Sequence, residues 1–190
     1  MATIKALLFD LDGTLVDTHD ANFFAYSEAI KSVTGIDADE SLKHHIAQGK
    51  SSHEFIPLVV NDISKEDLQK VNETKKDLYA QHVHRTTLNH ELVSFLKHFS
   101  KNLTVGLVTT AKRANATKVL EHYQLGDLFD FCIYGDDVER MKPDPEAYTL
   151  ALSKAGVHAS EAVAFEDSNK GARAAEAAGI AVVRVEDFRL

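Results

Sequence analysis

Two carboxylates, Asp10 and Asp12, flank a single residue in the stretch 5–17, KALLFDLDGTLVD. They follow a short apolar run, Ala6–Phe9, of the length expected for a buried strand. Gly13 lets the chain turn away directly after them. Two acids at one strand end are costly unless a cation offsets their charge. Mg²⁺ together with a phosphate suits such a pair, because Mg²⁺ takes a few carboxylate oxygens and completes its shell with water and substrate phosphate. Taken alone, these residues also read as an N-terminal strand followed by an acidic turn.

Polar groups of a related kind recur further on. Residues 105–108, VGLV, precede Thr109 and Thr110. The run 131–134 precedes Gly135, Asp136 and Asp137 and, slightly later, Lys142, Pro143, Asp144 and Pro145. Residues 162–165 precede Glu166, Asp167 and Ser168, with Gly171 just beyond. In a parallel sheet all these ends share one edge, which is where ligands bind in open α/β sheets. That edge would hold carboxylates for a metal, the hydroxyls of Thr109 and Thr110 and the Lys142 ammonium for phosphate oxygens, and helix N-termini that favour anions. Singly, Thr109 serves equally as a helix cap, Lys142 as a solvated lysine, residues 142–145 as a rigid helix entry, and Glu166 and Asp167 as acids favoured by a helix dipole. In this order, those separate readings require several coincidences.

The elements that must position these groups follow from hydrophobic periodicity. Strands are predicted over 6–9, 103–108, 131–134, 162–165 and 181–185. Helices alternate with them over 89–99, 114–122, 145–154 and 170–178. Nearly continuous apolar strands alternating with helices predict an α/β fold, with a parallel sheet covered by helices on both faces. Residues 18–84 carry no strand signal. Helices are predicted there over 18–33, from Asp37 or Asp39 to near Gly49, over 52–60, and from Ser64 to His82. The expected division is an α/β core of residues 1–16 and 86–190 with an inserted, small all-α block over 17–85. The links between them are short, near 14–18 and 84–88.

Composition excludes several classes. The chain has 190 residues, 44% hydrophobic and 26% charged, with a net charge of −8, which suits a globular core with a smaller lobe. The negative balance argues against nucleic acid or an anionic membrane as partner. The single cysteine, Cys132, reads as a buried strand residue and cannot form an intrachain disulfide. No signal peptide or membrane-spanning run is evident, so a cytoplasmic location is expected. Neither His44 and His45 nor His82 and His84 has neighbours suited to metal ligation, and all read as surface residues.

With these motifs together, DLDGTLVDT at 10–18, LVTT at 107–110, KPDP at 142–145 and FEDSNKGARAAEAAG at 165–179, the chain resembles the haloacid dehalogenase-like hydrolases. The likeness is to the helical-cap branch that includes phosphoglycolate phosphatases and β-phosphoglucomutases. The resemblance implies a Rossmann-like sheet of strand order 5-4-1-2-3 with the first strand central. It implies that Asp10 is the nucleophile, forming an aspartyl-phosphate. Asp12 would be the general acid and then the base, and its backbone carbonyl a Mg²⁺ ligand. Thr109, with Thr110 beside it, and Lys142 would hold the phosphoryl oxygens. Asp10, Asp12, Asp167 and Glu166 form the implied metal set, Glu166 as a ligand or one step removed. True dehalogenases lack an acid at the position of Asp12, so its presence fits phosphoryl transfer.

The implied activity is Mg²⁺-dependent hydrolysis of a small phosphorylated metabolite by a monomer or weak homodimer. The resemblance also suggests Lys50 and His53, in the cap stretch 48–53, as substrate-selecting residues, although a polar turn accounts for them equally. A sugar phosphomutase is the alternative. That pattern expects a histidine where Asn22 stands, and a lysine and an arginine where Gln48 and Ser52 stand. A phosphate-binding protein without catalysis is a third reading, which predicts a broken site.

Overall fold

The structure is a computed structural model describing residues 3–48, 50–186 and 188. It divides into two compact units, residues 1–17 with 87–190 and residues 18–86. Each junction therefore falls one residue later than expected from sequence. Among the described residues, no helix is long and apolar enough to cross a membrane.

The first unit is built on a five-stranded parallel sheet. Its strands are β1 (Ala6–Phe9), β4 (Thr104–Val108), β5 (Phe131–Ile133), β6 (Ala162–Glu166) and β7 (Ala181–Arg184). Two further strands, β2 (Val16–Asp17) and β3 (Thr87–Leu88), were not predicted. They pair antiparallel, Val16 with Leu88 and Asp17 with Thr87, so both chain links between the units are tied to each other. Two-residue strands carry no alternation for a sequence pattern to register. The sheet order is β5-β4-β1-β6-β7. The expected 5-4-1-2-3 differs only in its numbers: β2 and β3 intervene in the chain but lie outside the sheet, so it becomes 7-6-1-4-5, which read from the other edge is the observed order, with the first strand central.

Helices α5 (His90–Phe99), α6 (Arg113–His122), α7 (Glu146–Ala155) and α8 (Asn169–Ala177) connect these strands. Successive β1 residues face opposite sides. Ala6 and Leu8 join a cluster with Val108, Ile133, Tyr148, Ala164 and Ala174, while the Phe9 ring stacks on Phe165 at 4.5 Å. Every β1 side chain is buried, and each of the larger ones contributes about 1.5–3 kcal/mol by leaving water. Coverage on both faces fails at β7. Three of its four residues are exposed, Val183 by 45%, because it is the sheet edge and pairs only with β6. Cys132 on β5 is half-buried rather than buried.

The second unit holds α1 (His19–Thr34), α2 (Ser41–Ala47), α3 (Ser52–Val59) and α4 (Lys65–His82). Gly35 ends α1 at φ 74°, donating its N–H to Lys31 O. The Ser64 hydroxyl caps α4 by accepting from Asp67 N at 3.0 Å. Ile30, Leu42, Phe55, Ile56 and Val71 form its core. Gly49, predicted near the end of α2, lies outside the described residues. His82 corrects the surface reading of the histidines. It is 6% exposed, stacked on Phe24, with Nε2 at 3.2 Å from Glu28 Oε2. The spacing Val71, Lys75, Tyr79, His82 places it on the inward face of α4.

Candidate active site

The turn after β1 is set by one carbonyl. Leu11 O accepts from the N–H groups of Thr14, Leu15 and Val16, while Gly13 N donates to Val16 O at 2.9 Å. Gly13 sits at φ 86°, and a Cβ there would overlap the Asp167 carboxylate, so only glycine permits the approach. Thr14 completes the joint. Its Oγ1 accepts from Asp167 N at 3.1 Å and lies 3.3 Å from Asp167 Oδ1, to which it donates.

Lys142 is the hub of the site. Its Nζ donates to Asp10 Oδ1 at 2.8 Å, Val108 O at 2.8 Å and Glu166 Oε1 at 2.5 Å. An ammonium has three N–H bonds, and here all three are in use. Any anion bound by this ammonium would therefore have to take the place of one of these acceptors. The loop before α7 holds the lysine there. Asp144 Oδ1 accepts from Glu146 N at 3.0 Å, Arg140 Nε pairs with Asp144 at 2.8 Å, and Glu146 accepts from Glu139 N at 2.8 Å.

Burial and like charge dominate the electrostatics. Burial pushes the Asp10 carboxyl well above the usual carboxylate range, Lys142 pulls it down, and Glu166, Asp167 and Asp12 add to the rise. Burial alone would lower the Lys142 ammonium, but Asp10 and Glu166 outweigh it and hold the lysine above its ordinary value. Asp167 is also raised, first by burial and then by Glu166. This site carries more negative charge than Lys142 neutralises, the situation a bound cation relieves. Asp10, Glu166 and Asp167 each offer a carboxylate oxygen within 4.8 Å of the others. An oxygen-only donor set of this kind fits a hard divalent cation such as Mg²⁺.

The remaining predicted residues are placed less centrally. Asp12 is half-buried, and its Oδ2 accepts from Thr109 Oγ1 at 3.4 Å, but its side chain is not in the acidic trio. Thr109 is buried, and its hydroxyl also accepts from Ala111 N at 3.0 Å. Thr110 is exposed at the end of β4. Lys50 and His53 belong to the helical unit. Lys50 Nζ lies 3.1 Å from His45 Nδ1, and His53 is exposed in the first turn of α3.

Three contributors were not assigned roles from sequence. Thr14 lies in the motif at 10–18, whose chemistry rests on its two acids. Gly171 packs so closely that a Cβ would overlap the Glu166 carboxylate. Tyr148 donates from its hydroxyl to Glu166 Oε1 at 2.6 Å, although its position reads as an ordinary inward aromatic of α7. Burial, then the charges of Glu166 and Asp10, hold that hydroxyl far above the usual tyrosine range, so it is a donor.

Comparison with known proteins places the chain among relatives of one family. The family described as haloacid dehalogenase-like hydrolase matches residues 7–185. A phosphorylated carbohydrates phosphatase of Thermotoga maritima is 32% identical over 182 residues, covering 93% of this chain and 82% of the relative. A fructose-1-phosphate phosphatase of Escherichia coli is 29% identical, covering 94% and 95%. Among solved structures, a β-phosphoglucomutase of Clostridium difficile superposes with a TM-score of 0.79 at 26% identity, covering 98% of this chain and 86% of that one. With a family match over nearly its whole length, and with the matched motifs meeting at one sheet edge, this chain belongs to the haloacid dehalogenase-like hydrolases.

Proposed function

We propose that the protein is a Mg²⁺-dependent phosphoric monoester hydrolase acting on a small phosphorylated metabolite through an aspartyl-phosphate at Asp10. The observation that carries this reading is the pairing of Asp10 with Lys142 at 2.8 Å beside Glu166 and Asp167. Relatives named as phosphatases of phosphorylated carbohydrates and of fructose 1-phosphate support the substrate class.

Asp10, Asp167 and the Asp12 backbone carbonyl would hold the ion, with Glu166 beside them. Bound there, Mg²⁺ supplies charge neutralisation for a phosphate dianion next to several carboxylates. Asp10 attacks phosphorus in line as the bond to the leaving oxygen breaks, and Asp12 gives its proton to that oxygen. Asp12 then takes a proton from water, which attacks phosphorus, breaks the bond to Asp10 and releases phosphate. Lys142 stays against Asp10 and exchanges one of its three acceptors for a phosphoryl oxygen. Thr109, with Thr110 beside it, would take a second. Lys50 and His53 enter as substrate-selecting residues on their sequence position alone.

A phosphomutase is the second reading, favoured by the β-phosphoglucomutase-like fold. Asn22 weighs against it. Where the mutase pattern expects histidine, its amide donates to Thr18 O at 3.1 Å and to Thr18 Oγ1 at 3.2 Å. Turnover separates the two. A screen over sugar phosphates, phosphoglycolate, nucleotides and pyrophosphate is expected to release inorganic phosphate, whereas isomerisation without release would favour the mutase. Asp10→Asn is expected to abolish Mg²⁺-dependent hydrolysis of p-nitrophenyl phosphate; undiminished hydrolysis would rule the mechanism out.

A further inference from the structure

We propose that Tyr148 is a positioning residue for the reaction, holding Glu166 so that Glu166 in turn fixes Lys142 against Asp10. The inference rests on the reading of Asp10 and Lys142 given above. Two donors converge on the single oxygen Glu166 Oε1, Tyr148 OH at 2.6 Å and Lys142 Nζ at 2.5 Å. Both come from one short segment, since Tyr148 lies six residues after Lys142, at the start of α7. The tyrosine ring also lies beside the ammonium, with its centroid 5.1 Å from Nζ.

The rest of Glu166 is confined. Its Oε2 accepts from the Ser168 hydroxyl at 3.5 Å, and α8 passes so close at Gly171 that no Cβ fits. The carboxylate is therefore fixed by packing on one side and by Tyr148 and Lys142 on the other. Phenylalanine would fill the same core space without a polar atom, and a buried hydroxyl is costly unless bonded. Glu166 is the hydrogen-bond partner that the Tyr148 hydroxyl meets, so packing alone does not explain the oxygen. Without it, Oε1 keeps one donor, and the carboxylate turns with Lys142 rather than holding it. Loss of a fixed separation between reacting groups lowers turnover more than substrate binding.

Tyr148→Phe keeps the ring and removes only the oxygen. Its kcat for phosphate release with Mg²⁺ is expected to fall about 10-fold, with KM within about twofold. In protein labelled with ¹⁵N-lysine and free of metal, the Lys142 ammonium resonance is expected to broaden or shift. The double variant with Glu166→Gln is expected to show no further loss beyond Glu166→Gln alone, since the hydroxyl acts through that carboxylate. An unchanged kcat with an unchanged Lys142 resonance would overturn the proposal. So would an equal fold-loss in the Glu166→Gln background. Should the variant fail to fold, the unsubstituted protein still decides, because a protected Tyr148 hydroxyl proton is required and its absence overturns the assignment. The resonance measurements need neither metal nor substrate, so they stand or fall separately from the phosphatase reading.

Discussion

Lys142 Nζ lies 2.8 Å from Asp10 Oδ1, with the lysine side chain only 3% exposed. The same ammonium is shared with Glu166 at 2.5 Å. Two carboxylates thus depend on one buried cation. Removing one partner of a buried pair costs about 3–5 kcal/mol, because the other charge is left uncompensated. Lys142→Met is expected to lose most of that stability and about 10²–10³-fold in turnover. Added Mg²⁺ is expected to raise the melting temperature of the variant more than that of the unsubstituted protein, measured by differential scanning calorimetry. An equal Mg²⁺ response in both would show that the ion and the lysine do not offset the same charge.

Gly171 poses a conflict between local and tertiary preference. In the first turn of α8, where Gly171 N–H is capped by Ser168, alanine is still the better helix former, by up to about 1 kcal/mol. Yet the added Cβ would overlap the Glu166 carboxylate, which is fully buried and pinned by Lys142 and Tyr148. Overpacking of this kind costs about 1–3 kcal/mol, and the carboxylate can yield only by giving up its hydrogen bonds to Lys142 and Tyr148. Gly171→Ala is therefore expected to be less stable by urea denaturation and at least about 10-fold less active. Gly126→Ala, where nothing lies within 4 Å, is the control and is expected to stay within about 0.5 kcal/mol.

Asp137 provides a pH test away from the reacting groups. It accepts from Arg113 Nη2 at 2.7 Å and from Tyr134 N at 3.0 Å. Burial opposes its charge, but the Tyr134 N–H and the Arg113 guanidinium outweigh that and hold the carboxyl below its usual range. A carboxyl whose pKa is lower folded than unfolded stabilises the fold above the unfolded value, and the contribution is lost as pH falls through the folded one. Asp137→Asn is expected to lower stability by about 0.5–1 kcal/mol at pH 7, the range of a partly exposed pair. The gap is expected to close below the ordinary carboxylate range. A melting-temperature difference that stays constant from pH 7 to pH 3 would contradict this.

Much of the fold was legible because its signals are local. The apolar run Ala6–Phe9, the Ser64 cap and the Gly35 stop each declare an element within a few residues. What escaped the sequence depends on neighbours far along the chain. The pairing of Val16 with Leu88 joins residues that a whole helical unit separates. The exposure of β7 follows from its place at the sheet edge, although its composition resembles that of the buried strands. His82 is buried because α4 turns that face inward, as its spacing from Val71 and Tyr79 indicates in retrospect.

The sequence by itself determined the chemical identities at the strand ends: Asp10 and Asp12, Thr109 and Thr110, Lys142, Glu166 and Asp167. Motif spacing could do so because a parallel sheet brings successive strand ends to one edge whatever the details of packing. Only the tertiary structure decided how those groups share their hydrogen bonds. Whether Lys142 has a free N–H, whether Asp12 joins the acidic trio, and which helix leaves room for Glu166 depend on separations of an ångström or less. Such separations are set where β1, β6, α7 and α8 pack together, and no stretch of chain encodes them alone. Tyr148 shows the difference most sharply: in the sequence it is an inward aromatic, and in the fold its hydroxyl reaches the carboxylate that holds the central lysine.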